Sequence, residues 1–488
     1  MRYARLLVNP ILAALTLLLG ANPSSAAAPT YQNTVTIHLP STLNQLTSFD
    51  ISFVDSSRST YVLADRNNAS VDVFDTQDDR FVRAGDSVFT GLGTGPGCKT
   101  GTGPNTNAGN SAGPNGVVII SNRGEDADRS TNDFMSVVDT GQVWASDDNE
   151  NRDRGQAWAG DGDSTVKVID LDTGHQVGSS IPTGGKCRAD ELGDDPEHRE
   201  IMIGNPNDAV VLQTFISTVG TPGPSRVLGQ LQFDGHPELG CAAGTIPGVG
   251  TRRICHTVAA TAGIEQPIFA LGHFWVAIGA TTQNPGGEIA EIDPDPDSPT
   301  AFQRIASIPV TCGPSGLTFI PPNHAATACG TAGVQFIDLQ SKTLIGTNVP
   351  ETGGADQVWY ANGNVYAPDS SATAGCARTV AIETTPNPPG FLGDQSNSCL
   401  AVIDASSRTV IAEVQLPAFA GSHSVAVDSR NQQVFVPVRD STCSTPGGSN
   451  PCPVPPAPAV PGPIPACPPQ EEGGCVHDQG IAVVQLVR

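Results

Sequence analysis

Short runs of alternating apolar and polar residues recur along the chain, most of them closed by an acidic residue that opens a turn. Ser70-Val71-Asp72-Val73-Phe74-Asp75 is the first copy and Thr165-Val166-Lys167-Val168-Ile169-Asp170 the second. Gly333 to Asp338 and Leu400 to Asp404 repeat it, Glu288 to Asp293 is a looser version, and Gly480 to Gln485 ends the series without the acid. Alternation with period two gives a strand one apolar face. A further strand follows the turn in several copies, as in Thr343-Leu344-Ile345 and Thr409 to Val414. Two more precede the phrase, as in Ser424 to Val427 with Gln433 to Val438.

The unit is therefore a four-stranded antiparallel meander. One meander cannot bury both of its faces, so successive copies must stack. Radial stacking gives a β-propeller, an arrangement that also limits exposed strand edges. Units are expected at 46–90, 113–183, 186–235, 262–310, 313–350, 353–417 and 420–488. That makes seven blades, with six as the alternative count. The third rests on the least regular strands, Glu200 to Ile203 and Val210 to Phe215. In the second, both Gln142 to Asp147 and Gln156 to Asp161 can supply the second strand. Asn33 to Leu39 is a clean alternating strand ahead of the first unit, placed to complete the last blade and close the ring.

The start of the chain adds a cellular address. Arg2 and Arg5 precede an apolar run, Leu6 to Leu19, and Ser25-Ala26-Ala27 fits a small-residue cleavage site. This reads as a signal peptide over 1–27, with one propeller domain over 28–488 and a periplasmic or secreted destination. The run falls short of the ~20 apolar residues a spanning helix needs, and no membrane span is expected elsewhere. All twelve cysteines lie beyond the leader, an even number that reads as disulfides in an exported chain. Cys241 with Cys255, Cys312 with Cys329 and Cys376 with Cys399 are compatible pairs by spacing, although spacing does not determine connectivity. Residues 441–476, dense in proline and carrying four cysteines, read as a disulfide-tied loop inside the last unit.

A net charge of −24 excludes nucleic acid and anionic membranes as partners, since both require a basic surface. It suits a cationic ligand or bound calcium. There is no CxxCH of a c-type haem and no glycine-rich phosphate loop before a helix, so neither haem c nor a nucleotide is expected. Gly109-Asn110-Ser111-Ala112-Gly113 matches a nucleophile-elbow pattern but lacks the strand and helix that motif requires. Asp293-x-Asp295-x-Asp297 begins like a calcium loop, but has Ser298 in place of the glycine and Arg304 in place of the closing glutamate.

Tyr61-Val62-Leu63-Ala64-Asp65 followed by Asn68 to Asp75 resembles the YVTN/NHL-type repeats of exported bacterial propellers, as do Thr165 to Gly174, Leu400 to Ser407 and His423 to Asp428. Leu63 and Ala64 depart from that family's Thr-Asn. The resemblance covers most of the chain at the level of fold. It implies a range of roles, from lactonases and lyases to surface-layer proteins and binding scaffolds, so function must be argued from a site.

In a propeller the loops entering the innermost strands crowd one mouth of the central channel. The entry positions are Asp50, Asn115, Asp190, Glu191, Glu265, Gln266, Ser315, Asp356, Gln357 and His423. Convergent carboxylates suit a hard divalent cation such as calcium, with Glu265, Asp356 and Asp190 as expected ligands. Asp50, Asn115, Asp190 and Glu191 are the expected ligand-binding set. In an enzyme, His423, Glu265 and Asp356 would be the acid–base residues. The leading expectation is a soluble, monomeric, exported propeller binding a small molecule or cell-envelope ligand at this mouth. A lactonase, other hydrolase or lyase is the first alternative, and a surface-layer or structural scaffold the second.

Overall fold

The computed structural model describes residues 30–44, 46, 48–90, 113–122, 143–144, 155–208, 211–219, 226–233, 252–255, 259–350, 354–369, 399–416, 422–439 and 479–487. The leader, the Gly109–Gly113 motif and the insertion at 441–476 fall outside them, apart from Gly113. Seven antiparallel sheets form a seven-bladed β-propeller. Their innermost strands, in ring order, are Phe49–Asp55, Val117–Asn122, Leu192–Asp195, Ile264–Ala270, Leu317–Ile320, Trp359–Ala361 and Ala426–Asp428. Each lies against the next, and the last lies against the first. Among the described residues no helix is long and apolar enough to cross a membrane.

The ring is closed by the N-terminal strand. Thr30–Ile37 pairs antiparallel with Gly480–Val487, so blade 7 takes its outermost strand from the start of the chain. The aromatic cluster beneath this seam joins blade 1 to blade 7: Tyr61 packs on Phe74 and on Phe435, each at 5.4 Å between ring centroids. In blade 2 the second strand is Gly155–Gly160, paired with Val117–Asn122. Val143–Trp144 instead adds a short parallel strand along the inner edge of the same blade. Blade 3 has four antiparallel strands plus a parallel outer one, Arg252–Cys255.

The acid of the repeated phrase is a turn device. Asp55, Asp65, Asp75, Asp195, Asp404 and Asp428 each end a strand, and a carboxylate oxygen of each accepts backbone N–H groups two or three residues on. Four residues after each acid, a non-glycine residue takes a left-handed backbone: Ser59, Ala69, Asp79, Arg199, Arg408 and Gln432. The next strand begins at the following residue. This is a four-residue hairpin loop in which the carboxylate satisfies the turn's N–H groups. Asp293 works similarly, accepting from Asp295 N at 3.0 Å and from Ser298 and Thr300 hydroxyls, so this acidic run is a turn within blade 4. Much of the chain's acidity thus serves hairpins.

Cys312 and Cys329 form a disulfide linking the entry loop of blade 5 to the end of that blade's second strand. Cys187 and Cys399 are also disulfide-bonded.

Candidate functional site at the channel mouth

The entry loops are stitched to one another around the ring. Asn115 Nδ2 donates to Ala189 O at 3.1 Å, joining blade 2 to blade 3. Ser315 Oγ donates to Ala355 O at 3.3 Å, and the Asp356 and Gln357 amides donate to His423 O at 3.1 and 2.8 Å. Gln357 closes the circuit: its Oε1 accepts from Ser424 Oγ at 2.6 Å and its Nε2 donates to Ser52 O at 2.8 Å. Leu317 N donates to Gln266 Oε1 at 3.3 Å. Gln266, Ser315 and Gln357 therefore build the rim.

Two glycines let the rim close. A methyl group on Gly316 would lie 2.2 Å from Asp356 O, and one on Gly116 would lie 2.4 Å from Glu191 Cα. Only glycine permits such an approach of one blade's strand to the next blade's entry loop. Each close contact holds an acidic residue of the mouth in place.

Among the described residues, two groups of potential ligand atoms result. Glu191, Glu265 and Asp356 each present a carboxylate oxygen within 4.8 Å of one another, as do the ligand atoms of Asp50, Asp356 and His423. Asp356, from blade 6, belongs to both. Glu191 is 4% exposed, and its Oε2 has no hydrogen-bond partner. Glu265 and Asp356 are half-buried. Asp190 lies outside both groups, with one carboxylate oxygen taken by the Arg188 guanidinium.

Arginines outside the entry positions complete the mouth. Arg66 directly follows the second strand of blade 1 and Arg439 the second strand of blade 7, so the two enter from equivalent places. Arg66 is saturated. It pairs with Asp50, donates to Asn115 Oδ1 at 2.9 Å from Nη2 and 3.2 Å from Nε, and reaches Phe49 O at 3.3 Å from Nη1. Asn115 and Asp50 are thus the cradle of Arg66. Arg439 lies over the Phe49 ring at 5.1 Å and donates from Nη2 to His423 Nδ1 at 2.7 Å. His423 itself stacks on Phe49, with ring centroids 4.9 Å apart, and its Nε2 faces Asp50 Oδ1 at 3.6 Å.

These neighbours divide the acids into two kinds. Burial would raise the Asp50 carboxyl, but the Arg66 guanidinium overrides it and holds the group ionised, below the usual carboxylate range. Glu191 goes the other way: burial, then the negative charges of Asp356, Glu265 and Asp50, push it well above the ordinary range. Glu265 is pushed up to about 8 by burial and by Asp356, with Arg188 opposing. Asp356 is raised as well, by burial first and then by Asp50, against His423, Arg188 and Arg66. Without a cation, burial and mutual repulsion disfavour ionising all three carboxyls together. Carboxyls that cannot all ionise together either share protons or collect a metal ion.

His423 is a poor ligand as held. An arginine only donates, so Nδ1 must carry the lone pair and the ring proton sits on Nε2, towards Asp50. That leaves Glu191, Glu265 and Asp356 as the group with free ligand oxygens. Their arrangement suits a hard cation bound by oxygen, with the remaining positions open to water or a ligand. No family model matches the chain, and no match is found among curated proteins.

Proposed function

We propose that this protein is an exported propeller that binds a divalent cation, calcium foremost, and through it a small ligand at the acidic mouth of its channel. One observation carries the reading: three carboxylates from three different blades meet within 4.8 Å, and one of them, Glu191, is buried with an unpaired oxygen. A buried, unpaired carboxylate is costly to retain unless something binds it. Calcium takes six to eight oxygens, so three carboxylates leave part of its shell for ligand or solvent. The signal-like leader supports this reading, because an exported protein meets calcium outside the cytoplasm.

The test is metal analysis of the purified mature chain with calorimetry. Stoichiometric calcium that survives dialysis, and is lost in Glu265→Gln and Asp356→Asn, is expected. Wild-type protein that takes up no calcium, magnesium or manganese would overturn the reading.

A second reading, catalysis of the lactonase or lyase kind, draws on His423. Its Nε2–H faces Asp50 and its ring is clamped by Arg439 and Phe49, the arrangement of a fixed proton donor. Calcium-dependent turnover on a lactone panel, abolished by His423→Gln, is the outcome that distinguishes it from pure binding. A surface-layer role would instead show as self-assembly of the purified chain.

A further inference from the structure

We propose that the ligand completing the cation's shell is a small carboxylate anion, gripped by Arg439 and Arg188; the proposal rests on the cation reading above. It begins from an imbalance among the guanidiniums. Arg66 spends Nε, Nη1 and Nη2 on protein acceptors. Arg439 and Arg188 each retain a buried Nε–H with no partner. Each is nevertheless fixed by its other end, Arg439 by His423 and the Phe49 ring, Arg188 by Asp190. Buried donors left unpaired carry a desolvation cost, and a pre-positioned guanidinium is a receptor for an oxyanion.

Charge decides the class of anion. Among the described residues, five carboxylates (Asp50, Asp190, Glu191, Glu265 and Asp356) stand against three guanidiniums at the mouth. When all are ionised, a divalent cation brings the set to neutrality. A singly charged anion then leaves one net negative charge at the mouth, and a phosphate dianion leaves two. A carboxylate also has the right shape: one oxygen can complete the cation's shell while the other accepts an arginine N–H. Arg439, bonded to His423, and Arg188, bonded to Asp190 next to Glu191 in the chain, stand on different blades beside the two acidic groups.

Calorimetry on the full mature chain, with and without calcium, uses lactate as the probe, the neutral isostere lactamide as its control, and inorganic phosphate as the competing oxyanion. Lactate should bind the calcium-loaded protein at least about tenfold more tightly than lactamide, and more tightly than phosphate. Arg439→Gln should weaken lactate about tenfold while calcium binds somewhat more tightly, because a positive neighbour is gone. Arg188→Gln should move both affinities in the same directions. Equal affinity for lactate and lactamide, preference for phosphate, or no lactate binding to calcium-loaded protein would each overturn the carboxylate assignment and leave the cation site standing. Absence of calcium binding overturns the cation reading. Lactate binding by metal-free protein that is lost in Arg439→Gln would then retain the arginine receptor alone.

Discussion

Arg439 donates from Nη2 to Nδ1 of His423 at 2.7 Å, and this one contact decides which face of the imidazole can do chemistry. The ring is a neutral Nε2–H tautomer whose proton points at Asp50, 3.6 Å away. Nitrogen NMR on labelled protein should show Nδ1 as the unprotonated nitrogen of His423. Arg439→Gln should release that restraint and let the tautomer populations mix. A spectrum with the proton on Nδ1 in the wild type would show that the arginine does not hold the ring.

The acid trio makes the metal-free protein sensitive to pH in a calculable direction. Glu265 titrates near 8 in the fold, against about 4.3 in an unfolded chain. Below about 4.3 both states hold the proton and its contribution to stability is fully present. As pH rises towards 8 the unfolded state has released the proton and the folded state has not, so this contribution is lost. Asp72, Asp194 and Glu191, raised chiefly by burial, steepen the same slope. Thermal melts from pH 4 to 8 should therefore show a falling Tm without calcium. Calcium should flatten the fall, and Glu265→Gln should remove its share of it.

Glu200, in the second strand of blade 3, is a separate case. It is fully buried, neither carboxylate oxygen has a hydrogen-bond partner, and burial followed by the charges of Asp195, Asp295 and Asp293 pushes it up to about 10. It lies outside both groups of potential ligand atoms. Glu200→Met, similar in volume and without polar oxygens, should stabilise the fold by about 1–3 kcal/mol at neutral pH, measured by urea unfolding. Its advantage should widen as pH rises, because the wild-type carboxyl resists ionising in the fold while the unfolded chain ionises freely.

Gly316 offers a test of the scaffold behind the site. Its missing side chain leaves room for the Asp356 carbonyl, which a methyl group would meet at 2.2 Å. Gly316→Ala should cost about 1–3 kcal/mol through overpacking and lower calcium affinity by moving Asp356, whereas Gly272→Ala, strained by its left-handed backbone but meeting no neighbour, should lower stability and leave calcium affinity unchanged. Parallel unfolding and calcium titrations on the two variants separate the effects.

The sequence by itself determined the blade. Period-two strands ending in an acid need a partner strand after a short turn, and the acid itself supplies the turn's hydrogen-bond acceptor, as at Asp75 and Asp404. Local hydrogen bonding and one-sided burial are written in neighbouring residues, which is why seven units and the closing role of the N-terminal strand could be read directly. Entry positions such as Glu265, Asp356 and His423 followed from that register. Only the tertiary structure decided how the mouth is wired. Arg66, Arg188 and Arg439 stand outside the entry positions that were aligned, and the partners of Arg66 and Arg439 lie partly on other blades or on a separate loop of their own. The same holds for the choice of Glu191 over Asp190 as the third carboxylate of the cation group. The two are adjacent in sequence with similar chemistry, and the folded chain brings Glu191 within 4.8 Å of Glu265 and Asp356 while it pairs Asp190 with Arg188. Charge pairing across a ring depends on closure, and closure brings together residues from opposite ends of the chain.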